Sequence, residues 1–378
     1  MLDHLLEKKL QERNSNGLLR KLTVKPGLVD FTSNDYLGLA SSADLFRKIN
    51  DRTEQLGLYR NGAGGSRLLS GNTTYAESLE GKLASIFKAE AALLFNSGYS
   101  ANLGVLSSLP QRNDTIIYDE LAHTCIKDGA RLSLAKRLNF KHNDLNDLES
   151  KMKKSSGHIF VAVESIYSMD GDECPLAGLI SLSEKYDATI ILDEAHSTGV
   201  KGEHGSGLAT SLGLEQKIHV RIYTFGKAVG VHGACVVGSR VLQQFLVNFA
   251  RPFIYTTAMP AHSLVAIECA FEYLKENKQL QTILSEKIQL YLDRVRGLTN
   301  RTASLSSVQN LIIGENTKTR QAALTLEASG FDVRPILSPT VHSGSERIRI
   351  CLHTFNTEQQ IEQLAAQLTM ISLQETIV

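Results

Sequence analysis

Six short runs of apolar and β-branched residues lie between residues 91 and 238: AALLF, TIIY, IFVAV, TIIL, VRIYT and ACVVG. Each is short for a helix and lacks the strict alternation of a strand with one wet face, so each reads as a strand buried on both sides. Between several of them the period changes. SANLGVLSSL has apolar residues at helical spacing, and another helix is expected from about Ala122. TYAESLEGKLASIFKA, ahead of the first run, reads as a helix with Thr74 and Glu77 forming a capping box. Buried strands alternating with helices predict an α/β fold, its mostly parallel sheet covered by helices. Beyond AMPAHSLVAIECAFEYL the pattern turns to long helices over about residues 260–300, then short strands such as RIRICL and a closing helix. The expected organisation is an N-terminal arm (1–40), a large domain (41–269) and a small C-terminal α+β domain (270–378).

The bulk properties narrow the class. Forty Lys and Arg balance forty Asp and Glu, so no global field recruits nucleic acid or an anionic membrane. No apolar run approaches the roughly 20 residues that a bilayer span needs. The opening MLDHLLEKKLQERNSNG reads as a charged amphipathic helix without the apolar stretch of a secretory leader. Cys125, Cys174, Cys235, Cys269 and Cys351 are scattered singly, the usage expected of reduced, buried thiols in a cytoplasmic protein. No spacing suits a metal.

In an open α/β sheet, ligands bind beyond the carboxyl ends of the strands. Four runs end in polar residues there. ATIILDEAH supplies Asp193, Glu194 and His196; HIFVAVESIYS supplies Glu164, Ser165 and Ser168; HVRIYTFGK supplies Thr224 and Lys227. ALLFNSGYSAN runs through Asn96, Ser97 and Gly98 into a helix start, whose free N–H groups favour a phosphate. Taken singly, each has a plainer role as a turn residue, a cap or a core histidine. Together they match the needs of pyridoxal phosphate: a lysine for the Schiff base, an Asp to keep the pyridine nitrogen protonated, and an anion site. Lys227 stands among small residues, where partial burial lowers an amine toward reactivity.

Two other chemistries fail on spacing. ILDEAH resembles the acidic box of a nucleotidase, but the G-K pairs at Gly81-Lys82 and Gly226-Lys227 do not complete G-x-x-x-x-G-K-[ST]. GYSAN, GGSRL and HGSGL do not complete the G-x-S-x-G elbow of a serine hydrolase.

The segments FTSNDYLGL, GAGGSRLLSGN, FNSGYSANLG, DELAHTCIKDGARLS, VESIYSMDGDECPL, ILDEAHSTGVKGEHGSGL, TFGKAVG, FIYTTAMP and SERIRI occur in the order in which the chain resembles the α-oxoamine synthases, pyridoxal-phosphate enzymes of fold type I. That resemblance covers most of the chain and implies a set of roles. Lys227 holds the cofactor and moves the Cα proton, Asp193 pairs with the pyridinium nitrogen, His196 bonds the phenolic oxygen and His123 stacks on the ring. Ser97, Gly98, Tyr99 and Thr224 surround the phosphate, with Thr256 or Thr257 completing it from the partner of a homodimer with shared sites. Glu164 and Ser168 lie close to the ring, Arg349 grips the amino-acid carboxylate, and Asn34 and Arg20 line substrate access. Within the family the likeness points to L-alanine condensing with a pimeloyl thioester, from pimeloyl-CoA or pimeloyl acyl carrier protein, on the route to biotin. Sister pairings share every cofactor residue: glycine with acetyl-CoA or succinyl-CoA, and serine with palmitoyl-CoA. A non-catalytic binding protein on this fold is the alternative from another class. The chain departs from many relatives after the lysine, where His232 and Ala234 stand in GVHGAC.

Overall fold

The computed structural model describes residues 2–376. Its centre is a seven-stranded sheet made of β2 (Ala91–Phe95), β3 (Thr115–Asp119), β4 (Lys136–Phe140), β5 (Ile159–Glu164), β6 (Thr189–Asp193), β7 (Val220–Thr224) and β8 (Ala234–Gly238). The spatial order is β2-β8-β7-β6-β5-β3-β4. Strand β8 runs antiparallel to both its neighbours, and every other pairing is parallel. All carboxyl ends except that of β8 therefore point to one rim.

Both faces are covered, which is why the strand sequences are nearly all apolar. On one face Phe160, Ile191 and Ile222 pack with residues of α4 (Gly98–Ser108) and α5 (Thr124–Leu132). On the other, Val161, Val163, Ile190 and Leu192 pack with Leu148 and Leu179. The capping box expected at Thr74 forms differently in α3 (Thr74–Ile86). The cap is Thr73, whose extended backbone lets its side chain accept from the Ala76 N–H, while Glu77 accepts from Asn72.

A second sheet, β11-β12-β9, joins Arg334–Ile336, Arg347–Cys351 and Val308–Ile312 antiparallel. It forms its own core with the helices Asn316–Ala328 and Glu358–Thr376. This is the small α+β unit. The boundary expected at 269/270 falls inside the helix Ala261–Glu276, whose buried residues from Leu264 to Leu274 belong to the large core.

Helix α1 (Leu2–Ser15) buries no residue. The chain after it threads between the two cores. Its β1 (Val29–Asp30) pairs in parallel with β10 (Phe331–Asp332). Phe31 then enters the small core, while Tyr36, Leu37 and Leu39 enter the large one. The five cysteines are buried free thiols.

Candidate active site

Lys227 sits on the bend that follows β7. Its position is set by the close approach of Gly230, which has a φ of +72°. A Cβ there would lie 2.7 Å from Leu39 Cβ, so the lysine turn is seated directly on the arm. The Lys227 amine lies 2.7 Å from His196 Nε2. Burial holds that amine below the usual lysine range, against the opposing fields of Asp193 and Glu164. His196 is buried, and burial with Lys227 nearby depresses its imidazole well below the usual range, so the ring is neutral.

Asp193 ends β6 and is 5% exposed. It accepts from Asn102 Nδ2 at 2.7 Å and from the Ala195 N–H at 2.8 Å. A buried carboxylate with two donors on separate oxygens is both oriented and desolvated. Its neighbour Glu194 serves a different purpose: it accepts from the N–H groups of Leu208 and Ala209 and from the Ser197 hydroxyl, tying down the following loop. Glu164 ends β5 and accepts from the His123 N–H at 2.6 Å. Burial and then Asp193 push its carboxyl well up. The His123 side chain caps α5, its Nδ1 accepting from the Cys125 N–H and lying 2.9 Å from Cys125 Sγ. Enclosure by the surrounding chain and the nearby Lys227 lower its imidazole.

The anion nest lies where α4 begins. Ser97 and Ser100 form a reciprocal capping box, and the N–H groups of Gly98 and Tyr99 have no acceptor among the described residues. A Cβ on Gly98 would collide with Thr224 Oγ1 and touch Thr224 Cβ at 3.3 Å. The helix start and the end of β7 thus meet only because residue 98 has no side chain. The Tyr99 hydroxyl donates to Asp128 at 2.7 Å on the exposed side of α4.

Arg349, on β12, brings the small unit to this rim. Its Nε donates to Ser168 O at 2.8 Å and its Nη2 to Asn34 Oδ1 at 3.0 Å. Lys227, His196, Asp193, Glu164, His123, Asn34, Ser168 and Arg349 are thereby gathered at one place from six separate segments.

Residues 26–368 match the family of class I and II aminotransferases, and an 8-amino-7-oxononanoate synthase of Emericella nidulans is 38% identical over 95% of this chain and 93% of its own length. The chain belongs to the class I and II aminotransferase family. A synthase of the same name from Chromobacterium violaceum is also 38% identical, over 89% of this chain and 87% of its own. Among solved structures, the 8-amino-7-oxononanoate synthase of Francisella tularensis superposes with a TM-score of 0.80 at 27% identity, covering 93% and 99% of the two chains. A serine palmitoyltransferase of Sphingomonas wittichii shares the fold with a TM-score of 0.88 at 24% identity, covering 100% and 98%.

Other expected site residues of this family member lie further out. Thr257 is exposed; its carbonyl accepts from Asn96 Nδ2 at 3.0 Å within the same chain, and Thr256 precedes it, half-buried. Arg20 is exposed in the irregular stretch after α1. His232 is exposed on a bend, whereas Ala234 is fully buried as the first residue of β8. Two residues were not singled out from the sequence. Asn102 was detectable as an amide on an otherwise apolar helix face, one turn after Gly98. Tyr36 lies inside NDYLGL, where nothing in the pattern separates a core phenol from a working one.

Proposed function

We propose that this chain is a pyridoxal-5′-phosphate-dependent C-acyltransferase. It condenses L-alanine with a pimeloyl thioester, carried on coenzyme A or on acyl carrier protein, to give 8-amino-7-oxononanoate, CO2 and the free thiol for biotin synthesis. The observation that carries the reading is a half-buried amine of lowered pKa, Lys227, held 2.7 Å from a neutral histidine beside an Asp193 that accepts two hydrogen bonds. Relatives bearing the synthase name, aligned over nearly the whole chain, support the choice of reaction.

The residues fit the cofactor. Free N–H groups at Gly98 and Tyr99, with Thr224 Oγ1 in the space a Cβ would fill, form a cradle for a phosphate dianion. Asp193, held by Asn102 and the Ala195 N–H, would keep a proton on a pyridine nitrogen. When bound, the cofactor supplies an electron sink for the amino acid's Cα. The remaining work belongs to side chains. Lys227 would hold the aldehyde and take the Cα proton, a transfer suited to an amine that burial brings below the usual lysine range. Arg349 binds the substrate carboxylate through its planar fork, with its Nε already fixed by Ser168 O. His123 would offer its ring to the bound cofactor.

The proposal includes a homodimer in which Thr256 or Thr257 of one protomer reaches the phosphate of its partner, and Arg20 lines the substrate approach. It also includes a cytoplasmic location, where scattered free thiols stay reduced. Thiol release measured for alanine, glycine and serine against pimeloyl, acetyl, succinyl and palmitoyl thioesters tests the assignment. Alanine with the pimeloyl donor should turn over fastest, and faster turnover of glycine with acetyl-CoA would overturn it.

A further inference from the structure

A continuous line of hydrogen bonds joins the small unit to the lysine. Arg349 Nη2 donates to Asn34 Oδ1 at 3.0 Å; the Tyr36 hydroxyl lies 3.0 Å from that same oxygen and 2.7 Å from His196 Nδ1; His196 Nε2 lies 2.7 Å from Lys227 Nζ. Tyr36 is 1% exposed and His196 4%. Buried atoms in such a line are not free to choose their roles, because each donor needs an acceptor.

The direction of the whole line follows from its one acceptor-only atom. The amide of Asn34 must turn its oxygen to Arg349, since a guanidinium has only donors. That same oxygen faces Tyr36 at 3.0 Å, a contact that is favourable only if the hydroxyl donates to it. Tyr36 has a single proton to give, so toward His196 it must accept, and Nδ1 must carry the imidazole proton. The ring is neutral and has one N–H, which leaves Nε2 as an acceptor. Lys227 must then be the donor in its contact with Nε2. Had the line run the other way, Nε2–H would point at the amine and occupy its lone pair.

We propose that Tyr36 is a positioning residue that fixes His196 as the Nδ1–H tautomer, so that Lys227 is steered by a hydrogen bond it donates and keeps its lone pair free to act. The role of Arg349 is to set the Asn34 amide, and with it the sense of every later bond. Two further facts agree with this. Burial pushes the Tyr36 phenol far up, so it remains a hydroxyl, and burial lowers the Lys227 amine, which favours the form that carries a lone pair. The Arg349 guanidinium also faces the phenol oxygen, which favours lone pairs there and sends the proton to Asn34.

The significance of a free lone pair rests on the functional reading of Lys227, but the tautomer does not, and the two can be measured apart. The tautomer is read from the nitrogen-15 spectrum of full-length, cofactor-free protein labelled at histidine, with the His196 signals assigned through His196→Asn. Expected is a protonated Nδ1 and an unprotonated, acceptor-type Nε2. In Tyr36→Phe the acceptor for Nδ1–H is gone, and the Nε2–H form should become the majority. A wild-type Nε2–H tautomer overturns the proposal whether or not the variant folds, and so does a Tyr36→Phe spectrum unchanged from wild type. The consequence for Lys227 is read on the same protein from its carbamoylation by cyanate at neutral pH, which should slow about tenfold in Tyr36→Phe as the lone pair becomes engaged. With the expected tautomer in hand, an unchanged rate refutes the link to the lysine. If the tautomer and rate behave as stated while wild-type protein takes up no pyridoxal phosphate, the functional reading fails and the positioning of Lys227 stands.

Discussion

Gly98→Ala tests the anion nest by adding a single methyl group. The helix start at residue 98 carries no left-handed backbone, so alanine fits it locally and would add up to about 1 kcal/mol of helix propensity. Against this, the new Cβ would overlap Thr224 Oγ1 and press on Thr224 Cβ at 3.3 Å and Cγ2 at 3.4 Å. Rotating Thr224 moves its hydroxyl out of the cradle; moving α4 displaces the Gly98 and Tyr99 N–H groups. Overpacking of this kind costs about 1–3 kcal/mol, so the net change in stability should be a loss of no more than about 3 kcal/mol. Cofactor binding should suffer more visibly, because both escapes disturb phosphate donors: a loss of roughly tenfold to hundredfold in affinity, or about 1.4–2.8 kcal/mol. Absorbance titration of the cofactor-free protein with pyridoxal phosphate measures this, with thermal unfolding as the control. Gly98→Ala/Thr224→Ala removes the overlapping oxygen and should recover stability lost in Gly98→Ala, a coupling expected only of residues in contact. Wild-type affinity in Gly98→Ala would show that the phosphate sits elsewhere and refute the reasoning.

Further outcomes can be stated. Lys227→Ala should keep the fold by circular dichroism and lose turnover and the visible cofactor band together. Asn102→Ala removes one of the two donors to Asp193 and should weaken cofactor binding by about 1.5–3 kcal/mol, the worth of a hydrogen bond to a charged group, measured by the same titration. His142 lies between Asp119 at 3.0 Å and Asp172 at 2.8 Å; burial opposes its charge, but the two carboxylates outweigh burial and raise it to about 10. A pKa raised on folding contributes stability that is whole below the unfolded value of about 6.5 and is lost as pH rises through the folded one. The melting temperature should therefore fall between about pH 6.5 and 10, and His142→Gln should remove that part of the slope. Arg347→Met leaves Asp170 buried without its 2.5 Å partner and should cost about 3–5 kcal/mol in denaturant unfolding.

The strands that position the site were legible because they are covered on both faces; IFVAVE and TIILD admit little else. KRLNF was not, since β4 is the edge strand and exposes Lys136, Arg137 and Asn139, the charged dressing that keeps an edge from pairing further. The helix cap at Thr73 shows the ordinary slippage of one residue where two threonines adjoin. The strand-end residues Asp193, Lys227 and Glu164 could be found because each sits at a fixed place relative to its own strand. Tyr36 and Asn102 could not be assigned, because their partners are distant in sequence: Asn102 meets Asp193 from the helix that covers that face of the sheet, and Tyr36 meets His196 from the arm. The helix spanning residue 269 hid the change of unit for a related reason, since its burial is uniform across the expected boundary.

The threading of the arm also imposes an order in time. Phe31 O accepts from the Cys351 N–H and Tyr36 O from the Thr354 N–H, so residues of the arm are held by residues made much later. On a ribosome adding about 5–20 residues per second, tens of seconds separate the two. For the last part of that interval the nascent chain already holds Lys227 but lacks the Cys351 and Thr354 N–H groups that hold the arm. The arm residues against which the Lys227 turn is seated are thus held from both sides only after the small unit has been made.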